Sequence, residues 1–280
     1  SDVCSSDLNG LMTRIFSIAG GQLPIIVGAS NPDDDACCAI AEHAMALGAV
    51  GVMISPRRGL SSDAAVLDYY TGLGNRLGSD VPVCVQDYPP ATGVKISVDG
   101  LAQLFQSLPQ LEMLKLEDMP GLDKLTQIVD RFAAEPPGRP AIFVGNNALF
   151  TELELARGAD GIMTGFAFPD MLLEFYARHT SGDVDGAADL YQVYLPLIRY
   201  EMQPDVGLAA RKYVLMKQGL LTCPAVREPG YVLTKQDKGE IDWMLARLES
   251  NRGFRQPKEH QRHPRSEEHT SELQSPDHLV

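Results

Sequence analysis

Six short apolar, β-branched runs, each followed by a longer amphipathic pattern, limit this chain to a few architectures. The runs are LPIIVGAS (23–30), VGVMIS (50–55), VPVCVQDYPP (81–90), LEMLKLED (111–118), AIFVGNN (141–147) and DGIMTGF (160–166). Strands separated by helices pair in parallel through right-handed crossovers, and both faces of the resulting sheet are covered. A doubly wound sheet and a (β/α)8 barrel both satisfy that pattern, which by itself leaves the two open.

The intervening segments carry helix signals. In NPDDDACCAIAEHAMALGA, Asn31 is the expected N-cap and Pro32 the first helical residue, with three aspartates at the positive end of the helix dipole and Gly48 near the exit. Further helical patterns cover 184–201, 206–219 and KQDKGEIDWMLARLES (235–250). Beyond them the chain turns polar, and 251–264 reads as a flexible tail.

The two ends read differently from the rest. Residues 1–8, SDVCSSDL, and the start of 265–280, RSEEHTSE, can be encoded by opposite strands of one DNA element that resembles a short sequencing adapter. Both ends are therefore expected to lie outside the fold. The organisation expected between them is a partial barrel over 9–182 and C-terminal helices over 183–250.

The formal charge of -13 includes six acidic residues in those ends against Arg265, so the remaining body is still acidic. That argues against nucleic acid or an anionic membrane as the main partner. Cys37, Cys38, Cys84 and Cys223 lie in apolar contexts without metal-ligand spacing, as in a reduced cytoplasmic protein, and no metal is expected. No apolar run approaches the roughly 20 residues needed to span a bilayer.

Alternation in LEMLKLED puts Met113, Lys115 and Glu117 on one face and Leu114 and Leu116 on the other. In a barrel the leucines pack against helices, so Lys115 points inward. An inward lysine is costly unless paired or neutral, and desolvation lowers an amine pKa as an imine-forming nucleophile requires. Spacing alone leaves open a second reading, an ion pair with Glu117 and no chemistry.

The order of LPIIVGAS, VMISP, VPVCVQDYPPATGVKIS, LEMLKLED and VGNNALFTELELARGADGIM resembles the dihydrodipicolinate synthase/N-acetylneuraminate lyase superfamily over about residues 11–229. The resemblance implies a (β/α)8 barrel with C-terminal helices, usually tetrameric. It also implies class I aldolase or lyase chemistry through a lysine imine with pyruvate or a related 2-oxo acid, with no cofactor. Lys115 matches that lysine.

Departures from the family pattern shape the remaining expectations. Its Y-N-x-P-x-x-T-G run is QDYPPATG here, so Gln86 stands at the proton-relay tyrosine and Tyr88 is the nearest phenol of the same strand parity. Tyr88 is read either as that relay or as a loop-flanking aromatic. Ala91 replaces an arginine of dihydrodipicolinate synthases proper, which counts against the aspartate-semialdehyde substrate. Arg57 or Arg58 takes a second tyrosine position, where it either binds an acidic substrate group or is solvated. Gly145, Asn146 and Asn147 match a segment that contacts substrate hydroxyls in the sugar-acid lyases, and Thr164 matches another polar position on the following strand. Glu117, unusual for the family, either holds Lys115 or acts as an acid/base.

The expected function is cleavage or formation of a C–C bond between a 2-oxo acid and an aldehyde, on a sugar-acid type of substrate. The alternatives are a deoxy-sugar-acid dehydratase, a dihydrodipicolinate synthase-like condensation and a non-catalytic 2-oxo-acid-binding protein. The family's carboxylate-binding loop has no counterpart here, and its place falls before Ser1. About two strands are therefore expected to be missing, leaving unpaired edges and a poorly soluble or inactive chain.

Overall fold

The computed structural model describes residues 5–133 and 139–253, and the adapter-like segment 265–280 lies outside the described residues. Its centre is a six-stranded, wholly parallel sheet in which each strand pairs with the next in sequence. The strands are β1 (Ile26–Gly28), β2 (Gly51–Ile54), β3 (Val83–Asp87), β4 (Leu111–Leu116), β5 (Ala141–Val144) and β6 (Gly161–Ile162). Each lies inside one of the six runs read from the sequence. The sheet is curled, with helices on its outer side.

Strand parity separates the two faces. Val52, Ile54, Val83, Val85, Leu114, Leu116, Ile142 and Val144 point outward and are almost wholly buried. All of these but Val144 join one core with α2 (Asp34–Ala46), α3 (Asp63–Leu77), α5 (Val98–Ser107) and α6 (Leu122–Ala133), which contribute Cys37, Val66, Tyr70, Leu101, Leu104, Leu125 and Ile128. Burial of branched side chains on both partners is the main stabilising term, about 1.5–3 kcal/mol for each large side chain.

Helix α1 (Ser5–Ala19) precedes this core. Ser5 to Leu8 belong to the segment expected to lie outside the fold, yet they form its first turn, and Leu8 packs against the core. The N-cap of α2 also differs from expectation. Asp33 accepts the N–H of Asp35 and caps the helix, whereas Asn31 accepts the N–H of Asp33 in a turn one step earlier. An asparagine ahead of Pro32 satisfies this turn locally, which delays helix entry.

A short helix α4 (Pro89–Thr92) follows β3, and α7 (Thr151–Ala156) and α8 (Pro169–Thr180) follow β5 and β6. The remaining helices, α9 (Val184–Glu201), α10 (Val206–Lys217) and α11 (Lys235–Gly253), form a second core with α8 around Phe175, Tyr191, Tyr194, Ile198 and Ile241. This layer sits beside the C-terminal ends of β5 and β6 and helps to wall the site. No helix among the described residues is long and apolar enough to cross a membrane.

Asp87 shows how the outer face is tied to a helix. It is fully buried, and Lys124 of α6 lies 2.5 Å from its carboxylate and 3.0 Å from that of Asp118. Burial pushes the Asp87 carboxyl up to about 6 despite the lysine. The pair specifies how α6 docks on β3 more than it adds net stability, because desolvation opposes the Coulomb gain.

Candidate active site

The strand ends converge on Lys115. Its neighbours in the ladder are Gln86 on β3 and Phe143 on β5, so all three point to the inner face. Lys115 Nζ lies 3.1 Å from Glu117 Oε2, with side-chain exposures of 13% and 9%. The alternation read from LEMLKLED therefore places the pair correctly on one face.

Glu117 is an organising acceptor. Gln86 Nε2 donates to its Oε2 at 2.6 Å and the Asn146 N–H donates to its Oε1 at 3.3 Å. Gln86 Oε1 in turn accepts from Ser55 Oγ at 2.8 Å, and Ser30 Oγ accepts the Ser55 N–H at 2.8 Å. A polar chain thus crosses the ends of four consecutive strands and terminates on the carboxylate that faces Lys115. Gly145 is required by the close approach, since a Cβ there would collide with the Glu117 carboxylate.

Lys115 and Glu117 open into a cavity of about 730 Å³ that is also lined by Tyr88, Asn146, Asn147, Thr164, Glu201 and Arg211. Tyr88 enters from the start of α4, and burial, followed by the Glu117 carboxylate, raises its hydroxyl above the usual tyrosine value. It remains a neutral phenol, able to donate one hydrogen bond and accept another.

Asn146, Asn147 and Ala148 all have left-handed backbone, with φ of 45°, 54° and 62°. Each such non-glycine residue costs on the order of 1–2 kcal/mol. Tertiary bonds hold the run: Asn147 Nδ2 donates to the Ile198 carbonyl at 3.0 Å, and Tyr191 Oη to that of Ala148 at 2.7 Å. Both asparagines line the cavity.

The sequence reading missed Glu201 and Arg211. Arg211 Nε donates to Glu201 Oε2 at 3.0 Å and its Nη2 to Asn147 Oδ1 at 2.6 Å. Burial pushes the Glu201 carboxyl up to about 7 against the pull of Arg211. A signal existed: Glu201 continues the buried stripe Tyr194, Leu197, Ile198 of α9 at helical spacing, and an acid there needs a partner.

Arg57 is placed elsewhere. It lies with Arg58, Ser30, Ser55 and Thr92 in a neighbouring groove, 3.3 Å from Asp34 and stacked over the Tyr69 ring. Lys115, Glu117, Tyr88, Asn146, Asn147 and Thr164 line one cavity, Gln86 and Gly145 lie against Glu117 behind it, and Arg57 does not line it. Among the described residues no group of three or more His, Cys, Asp or Glu side chains is placed to hold a metal ion.

This arrangement offers an amine beside a carboxylate, a neutral phenol and a wall of polar side chains. The family profile described as the Dihydrodipicolinate synthetase family matches residues 5–248. The L-2-keto-3-deoxyarabonate dehydratase of Azospirillum brasilense is 28% identical over 250 residues, covering 88% of this chain and 79% of that protein. The 4-hydroxy-tetrahydrodipicolinate synthase of Methanospirillum hungatei is 27% identical over 212 residues, covering 74% and 70%. Among solved structures, a dihydrodipicolinate synthase from Rhodopseudomonas palustris superposes with a TM-score of 0.84 at 39% identity, covering 88% of this chain and 81% of its own.

Proposed function

This chain belongs to the dihydrodipicolinate synthetase family, and on that premise we propose that Lys115 is the imine-forming nucleophile of a lyase acting between a 2-oxo acid and an aldehyde, on a sugar-acid type of substrate. Members of the family are class I Schiff-base lyases. The observation that carries the assignment is the Lys115–Glu117 contact of 3.1 Å on the inner face, opening into a cavity wide enough for a substrate chain.

In the proposed reaction, Glu117 Oε2 accepts a proton from the Lys115 ammonium, and the neutral amine attacks the C2 carbonyl. A proton moves from the new ammonium to the carbonyl oxygen, giving a neutral carbinolamine. Glu117 returns its proton to that hydroxyl, which departs as water and leaves a protonated imine. This cation draws the electron pair of the breaking C3–C4 bond into an enamine while the C4 hydroxyl loses its proton and becomes a carbonyl. Tyr88 passes that proton toward Glu117, donating its own as it accepts. Gln86 holds Glu117 in place, and Asn146, Asn147 and Thr164 hold substrate hydroxyls.

A second reading, dehydration of a deoxy-sugar acid, is favoured by the similarity to the Azospirillum dehydratase. It uses the same imine: C3 loses a proton to give the enamine, which expels the C4 hydroxyl as water once protonated. Ala91 at the family's arginine position weighs against condensation with aspartate semialdehyde. A non-catalytic 2-oxo-acid-binding role is the remaining alternative.

Borohydride reduction in the presence of pyruvate, followed by peptide mass spectrometry, tests the assignment. A reduced adduct on Lys115 is expected, and its absence from Lys115 rules out the imine. Release of pyruvate or loss of water from 2-oxo-3-deoxy sugar acids then separates lyase from dehydratase.

A further inference from the structure

The cavity is larger than a three-carbon 2-oxo acid occupies, and its far wall is a built polar group. Arg211 reaches from α10 over Gly165, in the loop after β6, and a Cβ on Gly165 would collide with its Nη1. Two of its nitrogens are committed, Nε to Glu201 and Nη2 to Asn147, while Nη1 has no protein partner among the described residues. Glu201 is held at 1% side-chain exposure, so the guanidinium is clamped from behind in one orientation.

Position and charge together restrict what this donor can bind. Lys115 lies on β4 and Gly165 beyond β6, two strands apart, and Lys115 and Arg211 line the same cavity of about 730 Å³. A three-carbon acid held at Lys115 leaves much of that space unfilled, and a longer chain extends toward Arg211. The Arg211 charge is balanced by buried Glu201, and Asp205 also lines the cavity. A second carboxylate at the far end would meet those two acids, whereas a neutral hydroxyl accepts from Nη1 without charge conflict.

We propose that Arg211 is a specificity-determining residue that binds the terminal hydroxyl of a polyhydroxylated 2-oxo acid, selecting sugar acids with a neutral far end over both pyruvate and diacids. This rests on Lys115 being the imine-forming residue. Asn147 takes part twice, fixing Arg211 through Oδ1 and lining the same wall.

The test compares borohydride-trapping rates at pH 8 for pyruvate, a 2-oxo-3-deoxy hexonic acid with a terminal hydroxyl, and its analogue oxidised to a terminal carboxylate. The wild type is expected to trap the hydroxyl-ended acid fastest. In Arg211→Met/Glu201→Gln, which removes both charges and leaves none buried alone, its rate relative to pyruvate falls about 10- to 100-fold. Gly165→Ala, which displaces the guanidinium without touching either charge, lowers the same ratio. A general loss of folding would depress every probe and leave the ratio unchanged. Retention of the ratio in both variants while pyruvate is trapped at the wild-type rate, or wild-type preference for the diacid, overturns the assignment of Arg211. No wild-type adduct with any probe overturns the Lys115 reading itself.

Discussion

Gln86 donates to the same Glu117 oxygen that faces Lys115, at 2.6 Å against 3.1 Å for the lysine. The orientation of the Gln86 amide is set on its other side by Ser55, whose hydroxyl donates to Oε1. Reversing that amide would aim its oxygen at the Glu117 carboxylate. Gln86 is thus a directed donor, oriented on both sides.

Ser55→Ala removes the group that sets the amide, so Gln86 spends part of its time reversed. Pyruvate trapping by borohydride is expected to slow about 3- to 10-fold, as for loss of one neutral hydrogen bond. Ser55→Thr restores the hydroxyl and most of the rate. An unchanged rate in Ser55→Ala would show that Gln86 holds Glu117 without help.

Glu117→Gln keeps the shape of the side chain and removes its ability to take the lysine proton. Adduct formation on Lys115 is expected to fall about 100-fold or more. Circular dichroism should report an unchanged fold. Trapping at the wild-type rate would assign Glu117 a purely structural part.

Tyr88→Phe deletes the phenol while leaving Lys115 and Glu117 in contact. Imine trapping should persist, whereas turnover of a full sugar-acid substrate should drop about 100-fold. Equal turnover in the two proteins would return Tyr88 to the loop-flanking aromatic that its position also allows.

Glu154 of α7 is buried, its Oε2 has no hydrogen-bond partner among the described residues, and burial first and Glu117 second push its carboxyl up to about 7. The folded state therefore binds a proton more tightly than the unfolded chain, so this group's contribution is fully present below about pH 4.5 and is lost as pH rises through 7. Glu154→Gln should consequently gain stability over wild type by about 1–3 kcal/mol at pH 8 and little at pH 4.5. Urea unfolding at both pH values measures it; a gap independent of pH contradicts the assignment.

Local order determined much of what was legible. The two-residue alternation of a strand is written in consecutive residues, so LEMLKLED placed Lys115 and Glu117 on one face before any fold was known. The six β-branched runs and the helical patterns between them likewise contain their own periodicity, and the parallel sheet follows from their order. Helix entry was less legible, because Asn31 and Asp33 both offer capping oxygens and the turn before α2 chooses between them.

Tertiary structure decided which distant groups meet. Arg211 stands 96 residues beyond Lys115 in the chain, and only the docking of α9 and α10 over the ends of β5 and β6 brings it to the same cavity. Arg57 belongs to the next groove because Asp34 and the Tyr69 ring hold it there. The left-handed run at Asn146 to Ala148 persists because bonds to Ile198 and from Tyr191 offset its strain. Periodicity is a property of neighbours along the chain and can be read from it. Ion pairing and backbone strain depend on packing between segments far apart in sequence, and there the three-dimensional structure alone has the answer.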